Sequence, residues 1–489
     1  QDDYSEYAIQ SLFYRANYNF RNKYLVELNG RYDGSSKFPP HHRFGFFPSA
    51  SVGWQIGREH FMDRISKSVN ELKVRASYGT IGNQNINPYA YAPSMAVSRS
   101  NVWAANNDLV TVLGVPALVS DNFTWESVTS ADAGVDFALF HSRLQGVFDW
   151  YQRDTRDMLS TGSPLPAVVG AAAPLQNTAS MRTRGFEIAL NWNDRIGNVK
   201  YRLGVNLYNS SSWITKYTTN TSGLLSDWYV GKRIGEIWGY VADGYYSVDD
   251  FENLNTWKLK SGVTSIKGIN VRPGDVKYKN LMDDANSTNQ IDGGVSTLAN
   301  PGDTRIIGNT TPKYQYGVNA GVNYKGLDLN IMLQGIGKRD YWLSGQSIFP
   351  FAGSGATDAV FQPLYYNQTD YWTPKSTDPG SKDYLVPVNP NPKYFRIYNQ
   401  MENVGSNTRV SNKYLQNASY LRIKNVTLSY TLPQTMLRRT GISALRFFIS
   451  AENLATFTSL PKGYDPEPVT LQWTYPFYRT ISGGLNVTL

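Results

Sequence analysis

From Tyr314 to Tyr324 the chain alternates without a break. Tyr314, Tyr316, Val318, Ala320, Val322 and Tyr324 share one parity, and Gln315, Gly317, Asn319, Gly321 and Asn323 share the other. Residues of a strand point alternately to two faces, so this segment reads as a strand with one apolar side. A Lys325-Gly326 turn follows, and then Leu327, Leu329, Ile331 and Leu333 alternate with Asp328, Asn330 and Gln334. The two together predict a hairpin with one greasy face. The pattern recurs. Ala131, Ala133, Val135, Phe137 and Leu139 alternate with Asp132, Gly134 and Asp136. Leu144, Gly146, Phe148 and Trp150 face away from Gln145, Asp149 and Arg153. Phe186, Ile188, Leu190 and Trp192 oppose Glu187 and Asn191, and Tyr201, Leu203, Val205 and Leu207 oppose Arg202 and Asn206.

About thirteen such segments occur, near 7–18, 22–33, 46–57, 71–81, 126–139, 143–153, 182–193, 199–209, 313–324, 326–337, 418–432, 444–455 and 479–489. A soluble sandwich also alternates, so connection lengths must decide. Short turns follow Tyr18, Leu139, Trp192 and Tyr324, and medium links join Gly57 to Glu71 and Leu432 to Leu445. Between them lie long Gly-, Pro-, Asn- and Ser-rich stretches, roughly 82–124, 154–181, 210–312, 340–413 and 457–477. Long and short connections alternate strictly. Outer-membrane barrels sort their loops this way, short on the periplasmic side and long outside; a sandwich has no reason to. The fold class expected is all-β: a transmembrane antiparallel β-barrel with long extracellular loops. If the last strand runs down to the periplasm, the odd count makes the first run down too. Residue 1 then lies near an extracellular loop. An odd open set would leave two raw edges in lipid, so a further piece is expected to complete it.

Composition supports this and removes alternatives. Aromatics reach 14%, with 34 Tyr, while only 18% of residues are charged, which is unlike a disordered chain. No stretch approaches the apolar run of about 20 residues that a spanning helix needs. With no cysteine, disulfides and thiolate metal sites are excluded. The net charge of +8 comes from scattered Lys and Arg without a basic cluster, so no nucleic-acid partner is expected.

Several runs resemble the SusC/RagA family of TonB-dependent outer-membrane transporters. They are Arg75 to Asn85 (RASYGTIGNQN), Asn177 to Leu190 (NTASMRTRGFEIAL), Arg272 to Lys279 (RPGDVKYK) and Ile307 to Pro312 (IGNTTP), then Tyr420 to Pro433 (YLRIKNVTLSYTLP), Asn453 to Phe457 (NLATF) and Gly463 to Glu467 (GYDPE). They span nearly the whole chain. The resemblance implies a barrel of 22 strands, of which this chain would supply the C-terminal thirteen. Residues 1–489 would then lack the plug domain, the TonB-contacting segment and about nine N-terminal strands. It further implies a Bacteroidetes-type import system in the outer membrane, with a SusD-like surface lipoprotein as a lid. The TonB complex would drive import of oligosaccharides or, in some members, oligopeptides. Two departures stand out. The loop after Tyr278 is longer than the usual short acidic run, and the chain ends in Leu489 where such barrels often end in Phe. Leu489 still shares its parity with Ile481, Leu485 and Val487.

Candidate chemistry is sparse. Asp283, Asp284, Asn286, Asn289 and Asp292 form an oxygen-rich run suited to a structural Ca²⁺, although no Glu closes it as an EF-hand would. Otherwise no cofactor is expected. His41 and His42 are adjacent, so on an extended chain they point apart. No HExxH, P-loop or nucleophile elbow occurs, and enzymatic activity is not expected. Aromatic rings in the long loops are candidates for stacking on sugars: Trp103, Trp213, Trp228, Trp238, Tyr365, Tyr366 and Trp372, with Trp257 and Tyr371 nearby in sequence. The same rings serve equally to pack a partner or the loops themselves. The inward Asp132, Asp136, Asp149, Arg153, Glu187, Arg202 and Asp328 predict a polar lumen facing the plug or water. Alternatives of another class are a passive porin or adhesin, and a soluble lectin or glycoside hydrolase. The last would stay soluble without detergent.

Overall fold

The computed structural model describes residues 5–105, 108–120, 123–283, 288–345, 347–350, 363–397, 403–438, 441–469, 475 and 477–489, with backbone alone for 100–105 and 108–110. Thirteen strands form one antiparallel sheet in chain order. They are β1 (Ile9–Phe20), β2 (Tyr24–Ser35), β3 (Phe44–Gln55), β4 (Val69–Asn83), β5 (Glu126–Leu139), β6 (Leu144–Thr161) and β7 (Leu175–Ile196). β8 (Val199–Tyr217), β9 (Lys313–Tyr324), β10 (Leu327–Lys338), β11 (Tyr420–Thr431), β12 (Ala444–Thr458) and β13 (Thr480–Thr488) complete it. Among the described residues no helix is long and apolar enough to cross a membrane.

The register makes the two faces continuous. One row runs Trp54, Val74, Val135, Phe148, Ile188, Leu207 and Tyr316 across seven strands. The row one residue away runs Gly53, Arg75, Gly134, Asp149, Glu187, Tyr208 and Gln315. A slip of one position would exchange these faces, so the apolar pattern itself holds the register. The apolar row passes on through Gly335 and Leu421 to Phe457. It starts beside a short link and ends beside a long one, so the strands are tilted against the wall as a barrel requires. The large side chains of the apolar face are solvent-exposed, Phe148, Val322, Leu428 and Ile449 among them. At the short-link end Tyr18, Phe20, Tyr24 and Trp54 stack in series at 6.4–6.5 Å, an aromatic girdle on the expected side.

The sheet is open. Among the described residues β1 pairs only with β2 and β13 only with β12, and every residue of both edge strands is exposed. Three strands outrun their expected ends: β6 reaches Thr161, β7 begins at Leu175 and β8 reaches Tyr217. The expected 154–181 loop therefore shrinks to 162–174. The cause is local: beyond Trp150 and Phe186 the outward positions become Gln152, Asp154, Arg184 and Arg182, so apolar alternation stops while the hydrogen-bond ladder continues.

The long connections are folded. The 84–125 link carries a strand pair, Val97–Ala105 with Asp108–Leu113. The described residues of the connections 218–312, 339–419 and 459–479 merge into one canopy with its own apolar core, including Tyr246, Val276, Tyr278, Leu343, Phe349, Tyr394, Phe395, Tyr414 and Leu460. Short ladders stiffen it, Glu236–Tyr240 with Thr304–Asn309 and Ala242–Tyr245 with Val276–Tyr278. Phe38, Phe47, Phe123 and Trp125 form a second small core between the shorter loops, with Phe38 and Phe47 5.0 and 5.4 Å from Trp125.

Candidate functional site: a charged lumen beneath a folded canopy

The expected inward residues Asp132, Asp136, Asp149, Arg153, Glu187, Arg202 and Asp328 all fall on the polar side of the register. Their hub is Arg75 on β4. Its guanidinium meets Asp132 at 3.3 Å, Asp136 at 3.1 Å and Asp149 at 2.5 Å. Lys73 lies 3.5 Å from Asp136. Gly134 makes the convergence possible: a Cβ there would stand 2.3 Å from Asp149 Oδ1 and 2.7 Å from Arg75 Cζ. Three carboxylates on one guanidinium fix Arg75 across three strands and leave surplus negative charge on the wall. Further along, the Tyr151 hydroxyl donates to Tyr208 at 3.3 Å, and Arg202 donates to Asn330, which donates to Asp328.

Above the lumen, the family-like runs anchor the loops. Arg422 of YLRIKN is buried and bonds Asp465 at 2.5 Å and Glu467 at 2.6 Å, both from GYDPE. Its Nε donates to Thr456 Oγ1 of NLATF at 2.9 Å. Three separate runs are thus one anchor for the last loop. Asp275 of RPGDVKYK accepts from Asn407 at 2.7 Å and Asn403 at 2.9 Å, while Val276 N–H donates to Asn407 at 2.7 Å. In IGNTTP, Asn309 and Thr311 bond Ile234 O, and Asp340 accepts from Asn309 N–H at 3.0 Å. Asn177, at the head of the β7 run, donates to Thr124 O and Asp157 O, tying the 84–125 link to the wall strands β6 and β7. Burial pushes the phenols of Tyr246, Tyr278 and Tyr414 well above their usual range. They act as neutral donors: Tyr246 to Thr264 O at 2.6 Å, Tyr278 to Ser406 O at 2.8 Å.

The aromatic candidates separate by geometry. Trp372 is buried, with the Arg396 guanidinium 5.5 Å from its ring. Trp238 Nε1 donates to Glu236 at 2.9 Å and to Tyr229 at 3.1 Å. Trp213 lies on the outward side of β8 under Arg184, away from the lumen. Trp257 packs edge-on against Phe251 at 6.1 Å, and Tyr371 is half-buried. Trp228, Tyr365 and Tyr366 stay exposed, with Lys232 and Lys462 over the rings of Trp228 and Tyr366. The side chain of Trp103 lies outside the described residues.

Asp284 and Asn286 also lie outside the described residues. Asp283 accepts from Asn280 Nδ2 at 2.6 Å and Asn289 N–H at 2.8 Å, and Asp292 accepts from Gly294 N–H at 2.9 Å. Among the described residues no three acidic or histidine side chains converge as metal ligands. The organiser here is Asp303, fully buried, which accepts backbone N–H bonds from Leu281, Met282 and Asp292 at 2.6, 3.1 and 2.9 Å. Sequence reasoning passed over Asp303 and Asp275. A shared signal existed: each follows Pro-Gly, Pro273-Gly274 and Pro301-Gly302, with both glycines at positive φ.

The family described as TonB dependent receptor-like, beta-barrel matches residues 1–454. TonB-dependent receptor P3 of Formosa agariphila is 28% identical over 99% of this chain and 46% of its own length. TonB-dependent receptor SusC of Bacteroides thetaiotaomicron is 25% identical over 99% of this chain and 44% of its own. The chain thus spans just under half the length of the relatives it matches. The structure of the RagAB peptide transporter superposes with a TM-score of 0.70 at 22% identity, over 98% of this chain and 48% of that one. That likeness shows the fold, and the family is one of receptors and transporters, not enzymes. The chain belongs to the TonB-dependent receptor-like β-barrel family and is a bacterial outer-membrane protein.

Proposed function

We propose that this chain is the C-terminal wall and canopy of an energised import channel for oligosaccharides. The remainder of the same protein, a plug and about nine further strands, closes the sheet. A SusD-like lipoprotein caps the canopy, and the TonB complex acts through the plug. The observation that carries this is the open sheet with one continuous apolar face and unpaired edges at β1 and β13. Unpaired backbone groups in hydrocarbon cost several kcal/mol each, so such edges call for partners. The charged lumen around Arg75 suits contact with a polar plug. The exposed rings of Trp228, Tyr365 and Tyr366 suit stacking on the C–H faces of sugars. Oligopeptide import by the same architecture is the second reading, favoured by the names of the RagAB structures, a peptide transporter and a peptide importer.

The test is uptake of labelled oligosaccharide and oligopeptide panels by cells carrying the full-length protein, with and without a proton-motive force. Energy-dependent, saturable oligosaccharide uptake is expected. Peptide-only uptake selects the second reading, and energy-independent flux of either would leave a passive pore instead.

A further inference from the structure

A second charged surface lies on the outside of the wall, opposite the lumen. Past the apolar belt, β6 continues outward through Gln152, Asp154 and Arg156, and β7 presents Arg184 and Arg182 just above Phe186. Arg184 pairs across with Gln152 and Ser211, Arg182 with Asp154 and Trp213, and Lys216 with Ser180. No register shift separates Arg184 and Arg182 from Phe186, Ile188 and Trp192, so they share the lipid-facing side. Arg156 likewise follows Trp150 in unbroken register with β5.

The cluster is held in shape. Arg184 Nε donates to Gln152 Oε1 at 2.7 Å, and its guanidinium sits 5.5 Å from the Trp213 ring. Gln152 Nε2 donates to Asp154 Oδ2 at 2.9 Å, and Asp154 neutralises Arg182 at 2.5 Å. Arg156, Arg184 and Lys216 are exposed and make no ion pair among the described residues. At the long-loop ends of β2 and β3 the outward positions are instead aromatic, Tyr32 and Phe44 stacked at 5.2 Å. This wall therefore places surplus positive charge where β2 and β3 carry rings.

We infer that Arg156, Arg184 and Lys216 bind the phosphate-bearing headgroup of an outer-leaflet lipid, with Trp150 and Trp213 against its less polar parts. The aromatic level of a membrane protein is the headgroup level. Basic clusters there attract anionic headgroups. Arg184 uses Nε and one face of its guanidinium on its own neighbours, which orients the remaining N–H edge as a preset fork for phosphate oxygens. The site depends on the outer-membrane location and not on what the lumen transports.

The experiment uses the full-length protein, reconstituted in nanodiscs of neutral lipid doped with a phosphorylated lipid A-type glycolipid, phosphatidylglycerol or neither. Native mass spectrometry counts retained lipid. The triple variant Arg156→Gln, Arg184→Gln, Lys216→Gln is compared with Arg195→Gln, Lys200→Gln, Lys325→Gln, which removes equal charge at the other end. Heat-modifiable migration checks that both fold. Retention of phosphorylated lipid is expected to weaken about tenfold or more in the first variant and to be unchanged in the second. Equal retention by wild type and the first variant would overturn the inference, as would equal loss in both variants. Binding of inorganic phosphate alone with the wild-type affinity for lipid would also overturn it, by showing a free-anion site. So would loss of a co-purifying lipoprotein with lipid retention unchanged.

Discussion

Arg422 carries its charge into a nearly sealed space, where Asp465 and Glu467 supply the compensating carboxylates. Breaking a buried pair by removing one partner costs more than the pair contributes, because the other charge is stranded. Arg422→Met should therefore cost about 3 kcal/mol and release the 459–479 loop. Limited proteolysis of the folded protein would cut that loop in the variant and spare it in the parent. Glu59, in the link after β3, works differently because its half-buried carboxylate gathers three separate donors. Lys23, Trp54 and Tyr24 all donate to its carboxylate, holding it far below its ordinary 4.5, at about 2. A depressed folded-state value means that its contribution is fully present above about 4.5 and is lost as pH falls toward 2. Glu59→Gln should flatten the stability profile in that window, read as thermal midpoints from pH 6 to 2.5. High salt should change the difference little, since the Lys23 and Glu59 side chains are only 20% and 14% exposed.

At the scale of the strand, the two faces obey different chemistry one residue apart. Val318 stands in the middle of the apolar face of β9, and Asn319 faces the lumen. Val318→Arg should cost about 2–4 kcal/mol in the membrane, while Asn319→Arg should cost little. Equilibrium unfolding from lipid vesicles separates the two, and similar values for both would contradict the assigned faces. The same alternation explains which elements were legible beforehand. All thirteen strands were, because acyl chains select every second side chain. Their upper ends on β6, β7 and β8 were not, because outward residues above the belt face polar surroundings and the apolar signal ends before the ladder does.

For the whole molecule, the division that matters is wall against canopy. The wall is stabilised by lipid and strand pairing, whereas the canopy has a water-type core closed over Phe349, which meets Tyr414 edge-on at 5.0 Å. Phe349→Ala should cost about 3–5 kcal/mol in that core. Hydrogen exchange should then rise across 240–280 and 394–418 while the wall stays protected. A uniform rise would show that wall and canopy fold as one unit. The canopy also rearranges the meaning of the loop aromatics. Chosen by residue type, they look equivalent, yet the fold buries Trp372, turns Trp213 outward and leaves Trp228, Tyr365 and Tyr366 open.

Alternation at period two, set by contact with hydrocarbon on one side and water on the other, determined the strands and their faces, and the spacing between them the sorting of long and short links. Those are local or nearest-neighbour properties, and each is written in a dozen consecutive residues. What only the tertiary structure decided is the company of residues far apart in the chain. Arg75 meets Asp149 through the gap at Gly134, Asp275 meets Asn407, and Arg422 meets Asp465. A buried charge gains its stability from partners brought by chain crossings, and no spacing along the chain records which loops will cross.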